Sequence, residues 1–129
     1  MRIILLMTLA LLLAACTANA PTTIQYSEIP ETGDAVHGEE LFNTSVNLAP
    51  ACVGCHIPNN PASPSLDGFG EVAGTRVEGQ SAREYTFYSI VEPDRYTVEG
   101  YGVGIMYNKY DENLSAQDIA DLIAYLLSR

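Results

Sequence analysis

The chain has 129 residues, 47% of them apolar, and carries 6 basic against 16 acidic side chains for a formal charge of −10. That length allows one domain, the charge argues against nucleic acid or any other polyanion as a partner, and the apolar share is too high for a disordered polymer. With no Trp, 3 Cys and 2 His, any metal or redox chemistry rests on very few side chains.

In chain order, the first segment is MRIILLMTLALLLAAC. One charge at Arg2 precedes an apolar run from Ile3 to Ala15, too short for a membrane span and suited to a secretory signal core. Leu13, Ala14, Ala15 and Cys16 resemble the bacterial lipobox, in which cleavage falls just before a lipid-modified cysteine. The reading is a signal peptide over 1–15 and a lipid anchor at Cys16; the alternative is cleavage after Ala20, which Pro21 disfavours. Either way the mature protein is exported, to the periplasm or the outer face of the cell membrane. Removing 1–15 takes away Arg2 and no acid, so the remainder is more acidic still. Residues 16–33 are rich in Pro, Thr and Glu without periodicity and read as an extended tether, with a reach on the order of 55 Å at about 3.3 Å per residue. The competing possibility is a strap packed on the globule through Ile24, Tyr26 and Ile29.

The domain proper is expected over 34–129. Asp34 can cap a helix running through Phe42, with Val36, Leu41 and Phe42 toward one side. Ser81 can cap a second helix, Ala82 to Val91, which Pro93 ends. Ser115 with Asp118 resembles a capping box, and Ile119, Leu122, Ile123, Leu126 and Leu127 then repeat at helical spacing, giving one apolar face. No strand pattern or internal repeat competes, so the expected class is all-α, three to five helices.

Two of the three cysteines stand together in Cys52-Val53-Gly54-Cys55-His56. Two thiols separated by two residues can form thioether links to the two vinyl groups of one haem, and the histidine that follows can ligate its iron. A dithiol redox pair shares the spacing but lacks its strand and crossover-helix context and leaves His56 unexplained. A zinc site would need His37 as fourth ligand. Haem c on Cys52 and Cys55 is the favoured reading, with zinc and dithiol chemistry as the alternatives. Met106 is the one methionine left after signal removal, in the glycine-bearing loop Tyr101-Gly-Val-Gly-Ile-Met106, and it is the expected second axial ligand. Its competitors are a core-filling role for Met106 and ligation by His37, which lies beside Glu39 and Glu40 and reads better as a solvated surface residue.

These residues, in this order, resemble a class I monohaem cytochrome c from about Gly33 to Arg129. Gly38 and Phe42 match the first helix of that family and Tyr125 the aromatic of its last, where the two helices cross closely. Ser63-Pro64-Ser65-Leu66 stands where the family usually has Gly-Pro-x-Leu, so the proline matches and the glycine does not. The resemblance implies that the Pro64 carbonyl accepts a hydrogen bond from the His56 nitrogen facing away from iron. Ser89-Ile90, Pro93 and Gly100-Tyr101 follow the family's run toward the ligand methionine, after which Tyr107 replaces the usual proline. Arg76, Tyr101 and Tyr110 are candidates to contact the haem propionates.

Iron ligated by His56 and Met106 has no open position, which implies a one-electron carrier and not an enzyme. Its partners are then redox proteins with basic docking patches, such as a quinol-oxidising complex, a terminal oxidase or a photosynthetic reaction centre, met either on the tether or as a fixed subunit. The alternative is a haem-based gas sensor or peroxidase-like protein in which Met106 is displaceable. A haem that serves only as a folding staple is a third possibility.

Overall fold

A computed structural model describes residues 23–129; the expected signal segment, 1–15, and the expected anchor, Cys16, lie outside the described residues. Five α-helices make up its regular structure: α1 (Ala35–Asn43), α2 (Phe69–Val72), α3 (Ala82–Val91), α4 (Tyr110–Asn113) and α5 (Ala116–Leu127), with short 3-10 turns between them. Among the described residues the sole β pairing is an isolated bridge between Val46 and Ala49. The fold is therefore all-α.

Local chemistry sets the three longer helices where the sequence expects them. The Asp34 carboxylate accepts from the backbone N–H of Val36 at 2.8 Å and of His37 at 3.3 Å, satisfying donors the first turn of α1 leaves open. Ser81 Oγ does the same for Glu84 at the start of α3. At α5, Ser115 and Asp118 form a reciprocal capping box. Helix α3 stops at Val91, after which Pro93 opens a 3-10 turn over Pro93–Arg95.

Helices α1 and α5 cross face to face. At the crossing Gly38 lies so close to α5 that a Cβ there would overlap the carbonyl of Asp121 and the side chain of Tyr125. One turn on, Phe42 is 2% exposed and packs its ring 5.4 Å from that of Tyr125. The apolar stripe of α5 is buried as its spacing requires, with Ile119, Leu122, Ile123 and Leu126 in the core and Leu127 half-buried against it. Val36 departs from expectation and stands 70% exposed. Gly38 and Phe42, four residues apart, define the inner face of α1, and Val36 lies off that line.

Helix α3 packs against α5 and buries Tyr85, Thr86, Phe87, Ile90 and Val91. Its outer side is covered by the segment just before α1. Ile29 is buried, Ile24 and Tyr26 pack on the core, and the Tyr26 ring lies 5.4 Å from Phe87. The Arg83 guanidinium lies over the Tyr26 ring and donates to the Pro30 carbonyl. From Ile24 onward, then, part of the 16–33 stretch expected as a tether is laid down as a strap. Three apolar side chains over six residues find more burial on α3 than water offers them.

Candidate haem site

Helices α2, α3 and α5 border a cleft whose remaining wall is irregular chain. Two loops face each other across it: residues 50–66, which contain the cysteine motif, and residues 93–106, which end in Met106. The cleft encloses about 1220 Å³ of atom-free space, its open mouth included. Much of the wall is apolar, including Leu66, Phe69, Ile90 and Leu126.

The first loop is built around the motif itself. Cys52–Gly54 form a 3-10 turn, and the Cys52 carbonyl accepts from the N–H of Cys55 at 3.2 Å and of His56 at 2.9 Å. This tight turn brings both thiols and the imidazole to one wall. His56 Nδ1 lies 3.0 Å from the Pro64 carbonyl oxygen. A carbonyl only accepts, so Nδ1 carries the proton and Nε2 is left with its lone pair free. Ser63, where the resemblance departs from glycine, is buried and its hydroxyl donates to the Cys55 carbonyl at 2.5 Å. Asn60 donates to the same oxygen at 2.6 Å, so two side chains outside the motif fix its peptide frame.

Across the cleft, Met106 is half-buried and lines the wall, as do Arg76 and Tyr101. The structure thus brings Cys52, Cys55, His56, Pro64, Arg76, Tyr101 and Met106 to a single cleft. Tyr110 also reaches it, and its hydroxyl donates to the Pro50 carbonyl at 3.0 Å. It sits beside Cys52, and burial holds both the Tyr110 phenol and the Cys52 thiol above their usual ranges.

His37 is not at the cleft. Its Nδ1 lies 2.7 Å from Asp121 Oδ2 on α5, and Asp121 is 3% exposed. The other oxygen of that carboxylate accepts from the Asp34 backbone N–H and from Gln117 Nε2, each at 2.7 Å. The hydrogen bond to Asp121 raises the His37 pKa from its ordinary value of 6.5. Asp121 is held below the usual carboxylate range, burial being outweighed by its bonds to His37, Asp34 and Gln117. The histidine keeps its expected surface place, its side chain 44% exposed, and in addition bonds across the helix crossing.

Paired thiols on one turn, an imidazole with one nitrogen committed and the other free, a facing thioether and an apolar cleft are the donor set a covalent haem requires, and the residues present fit that group. The class so defined is a helical, covalently haem-binding protein. The family model described as Cytochrome c matches residues 35–129, and the chain belongs to that family. It binds haem c through Cys52 and Cys55 and serves haem-based electron transfer. No curated protein and no solved structure matches the chain.

Asp94 on the cleft wall, Asn113 on α4 and Asp121 at the helix crossing are polar residues that sequence reasoning missed; they bind groups 10, 65 and 87 positions away.

Proposed function

We propose that this cytochrome c is a carrier of single electrons at the outer face of a cell membrane, anchored by lipid on Cys16, with His56 and Met106 as its two axial ligands. The observation that carries the reading is the meeting of His56, its tautomer set by Pro64, and Met106 on the walls of one cleft. Bound haem supplies a one-electron Fe(III)/Fe(II) couple. The hydrogen bond to Pro64 orients the imidazole and raises its basicity. The Met106 thioether favours Fe(II), and the apolar wall around it acts in the same direction, so a raised reduction potential is expected. Two protein ligands leave no position for substrate.

Surface charge supports a basic partner. Among the described residues Arg95, Lys109 and Arg129 pair with Glu92, Glu112 and Asp67, and Arg83 is engaged by the strap, while most of the 16 acids have no cation. Docking is then transient and weakened by salt. Respiratory or photosynthetic membrane complexes are the partner class. With the strap packed from Ile24, at most eight residues separate a lipid on Cys16 from the packed chain, a span of no more than roughly 26 Å, so the partner site would lie close to the membrane.

The test is the visible spectrum of the haem-loaded protein. The reading expects a weak long-wavelength sulfur–iron band in the ferric form, no carbon monoxide binding in the ferrous form, and reversal of both in Met106→Ala. Carbon monoxide binding to the unaltered protein at once would overturn it in favour of an open-iron sensor or peroxidase. Membrane fractionation of the full chain beside Cys16→Ala tests the anchor; equal partition of the two would remove it.

A further inference from the structure

The loop that ends in Met106 has little to hold it. It turns through Gly100 and Gly104, both in the left-handed region at φ of +92° and +75°, and its own backbone contributes one bond, Tyr101 N–H to the Val98 carbonyl at 3.1 Å. Val103 and Ile105 are exposed, so packing does not fix it from outside.

Two side-chain hydrogen bonds from other elements flank the methionine. Two residues before it, the Gly104 N–H donates to Asp94 Oδ1 at 2.7 Å. One residue after it, the Tyr107 hydroxyl accepts from Asn113 Nδ2 at 3.0 Å. Both anchors are themselves fixed. Asp94 sits on the Pro93–Arg95 turn, whose Arg95 guanidinium lies 3.5 Å over the Tyr88 ring of α3 and 3.5 Å from Glu92. Asn113 Nδ2 also donates to the Lys109 carbonyl at 2.8 Å. Asn113 Oδ1 accepts from the Leu48 N–H at 3.1 Å, and its backbone carbonyl from Asn47 Nδ2 at 2.8 Å. One side chain thereby ties the methionine loop to the chain that leads into Cys52.

We propose that Asp94 and Asn113 are positioning residues for Met106, a two-point clamp that sets how often the thioether leaves the iron. The proposal rests on Met106 as axial ligand and names what keeps it there. A proline after the methionine would restrict the backbone covalently; Tyr107 substitutes a hydrogen bond and an edge-on packing against Tyr110, ring centroids 5.1 Å apart. A hydrogen bond opens and closes, so the clamp makes ligand release adjustable by the two side chains that form it.

The experiment measures how fast the ferric haem-loaded protein captures imidazole, which requires Met106 to depart. Asp94→Ala and Tyr107→Phe each remove one bond and are expected to speed capture by about two- to ten-fold, and the double variant more than either, with the sulfur–iron band retained. Asp94→Asn keeps an oxygen acceptor and is expected to stay near the unaltered rate. A residue that merely props the fold would lower Tm and leave capture unchanged well below Tm. Unchanged capture in both Asp94→Ala and Tyr107→Phe, with the band present in the parent and lost in Met106→Ala, overturns the clamp alone. A parent without the band, or a Met106→Ala variant that keeps it, overturns the ligand assignment and the clamp with it.

Discussion

The helix crossing and the cleft are made in opposite ways. At the crossing of α1 and α5, backbone meets backbone at Gly38, Phe42 and Tyr125 fill the adjoining turn, and Asp121 has every oxygen occupied. Around the cleft, loops and single 3-10 turns make up much of the wall beside residues of α2, α3 and α5. The crossing is complete with protein atoms alone, whereas the cleft is a wall whose remaining contacts must come from the cofactor. A domain this small has little core to spare, and it concentrates that core away from the place where the cofactor contributes its own.

Amide hydrogen exchange on the haem-loaded protein gives the broadest test of this contrast. Interior amides of α5 are expected to exchange by global opening and those of residues 97–107 by local opening, a separation of about 10³-fold or more. Equal rates would erase the distinction. Phe42→Ala empties part of the crossing and is expected to cost about 4 kcal/mol in a urea melt. Gly38→Ala presses a methyl group on the Asp121 carbonyl and is expected to cost about 3 kcal/mol. Neither should move the sulfur–iron band, because both lie outside the cleft.

The smallest effect is the ion pair over the crossing. The folded pKa of His37 is raised above its ordinary 6.5, so its contribution is full below that value and is lost as pH climbs through the raised one. Asp121 is lowered, so its contribution is present above its ordinary 3.8 and fades as pH falls below it. The urea midpoint is expected to be higher at about pH 5.5 than at about pH 8.5, and His37→Asn to lose that particular slope. A variant with the parent's slope would show that the pair contributes nothing.

The crossing was legible in the sequence because its signals are local. Asp34, Ser81 and Ser115 announce helix starts within three residues, and the α5 stripe repeats at its own period. The cysteine motif was legible for the same reason, and Met106, singled out by its loop, lies on the wall of the same cleft. Val36 misled because an apolar residue in the first turn of a helix can fall off the buried line without any change in sequence pattern. The bond from His37 to Asp121 was not legible because its partner lies 84 positions away. The 24–33 segment read as a tether since the 16–33 stretch it belongs to is rich in Pro, Thr and Glu, while what fastens it, Phe87 and Arg83 on α3, is visible only in three dimensions. Asp94 and Asn113 escaped on the same ground.

The strap also sets a mechanical load path. A pull applied to the chain ahead of Ile24 is taken up first where Tyr26 lies on Phe87 and where Arg83 grips the Pro30 carbonyl. Tension therefore enters through α3 and the body of the core, and reaches the Asp34 cap and the tightly fitted helix crossing only after the strap has peeled. The domain can be tugged at its N-terminal side without disturbing the junction on which its stability depends.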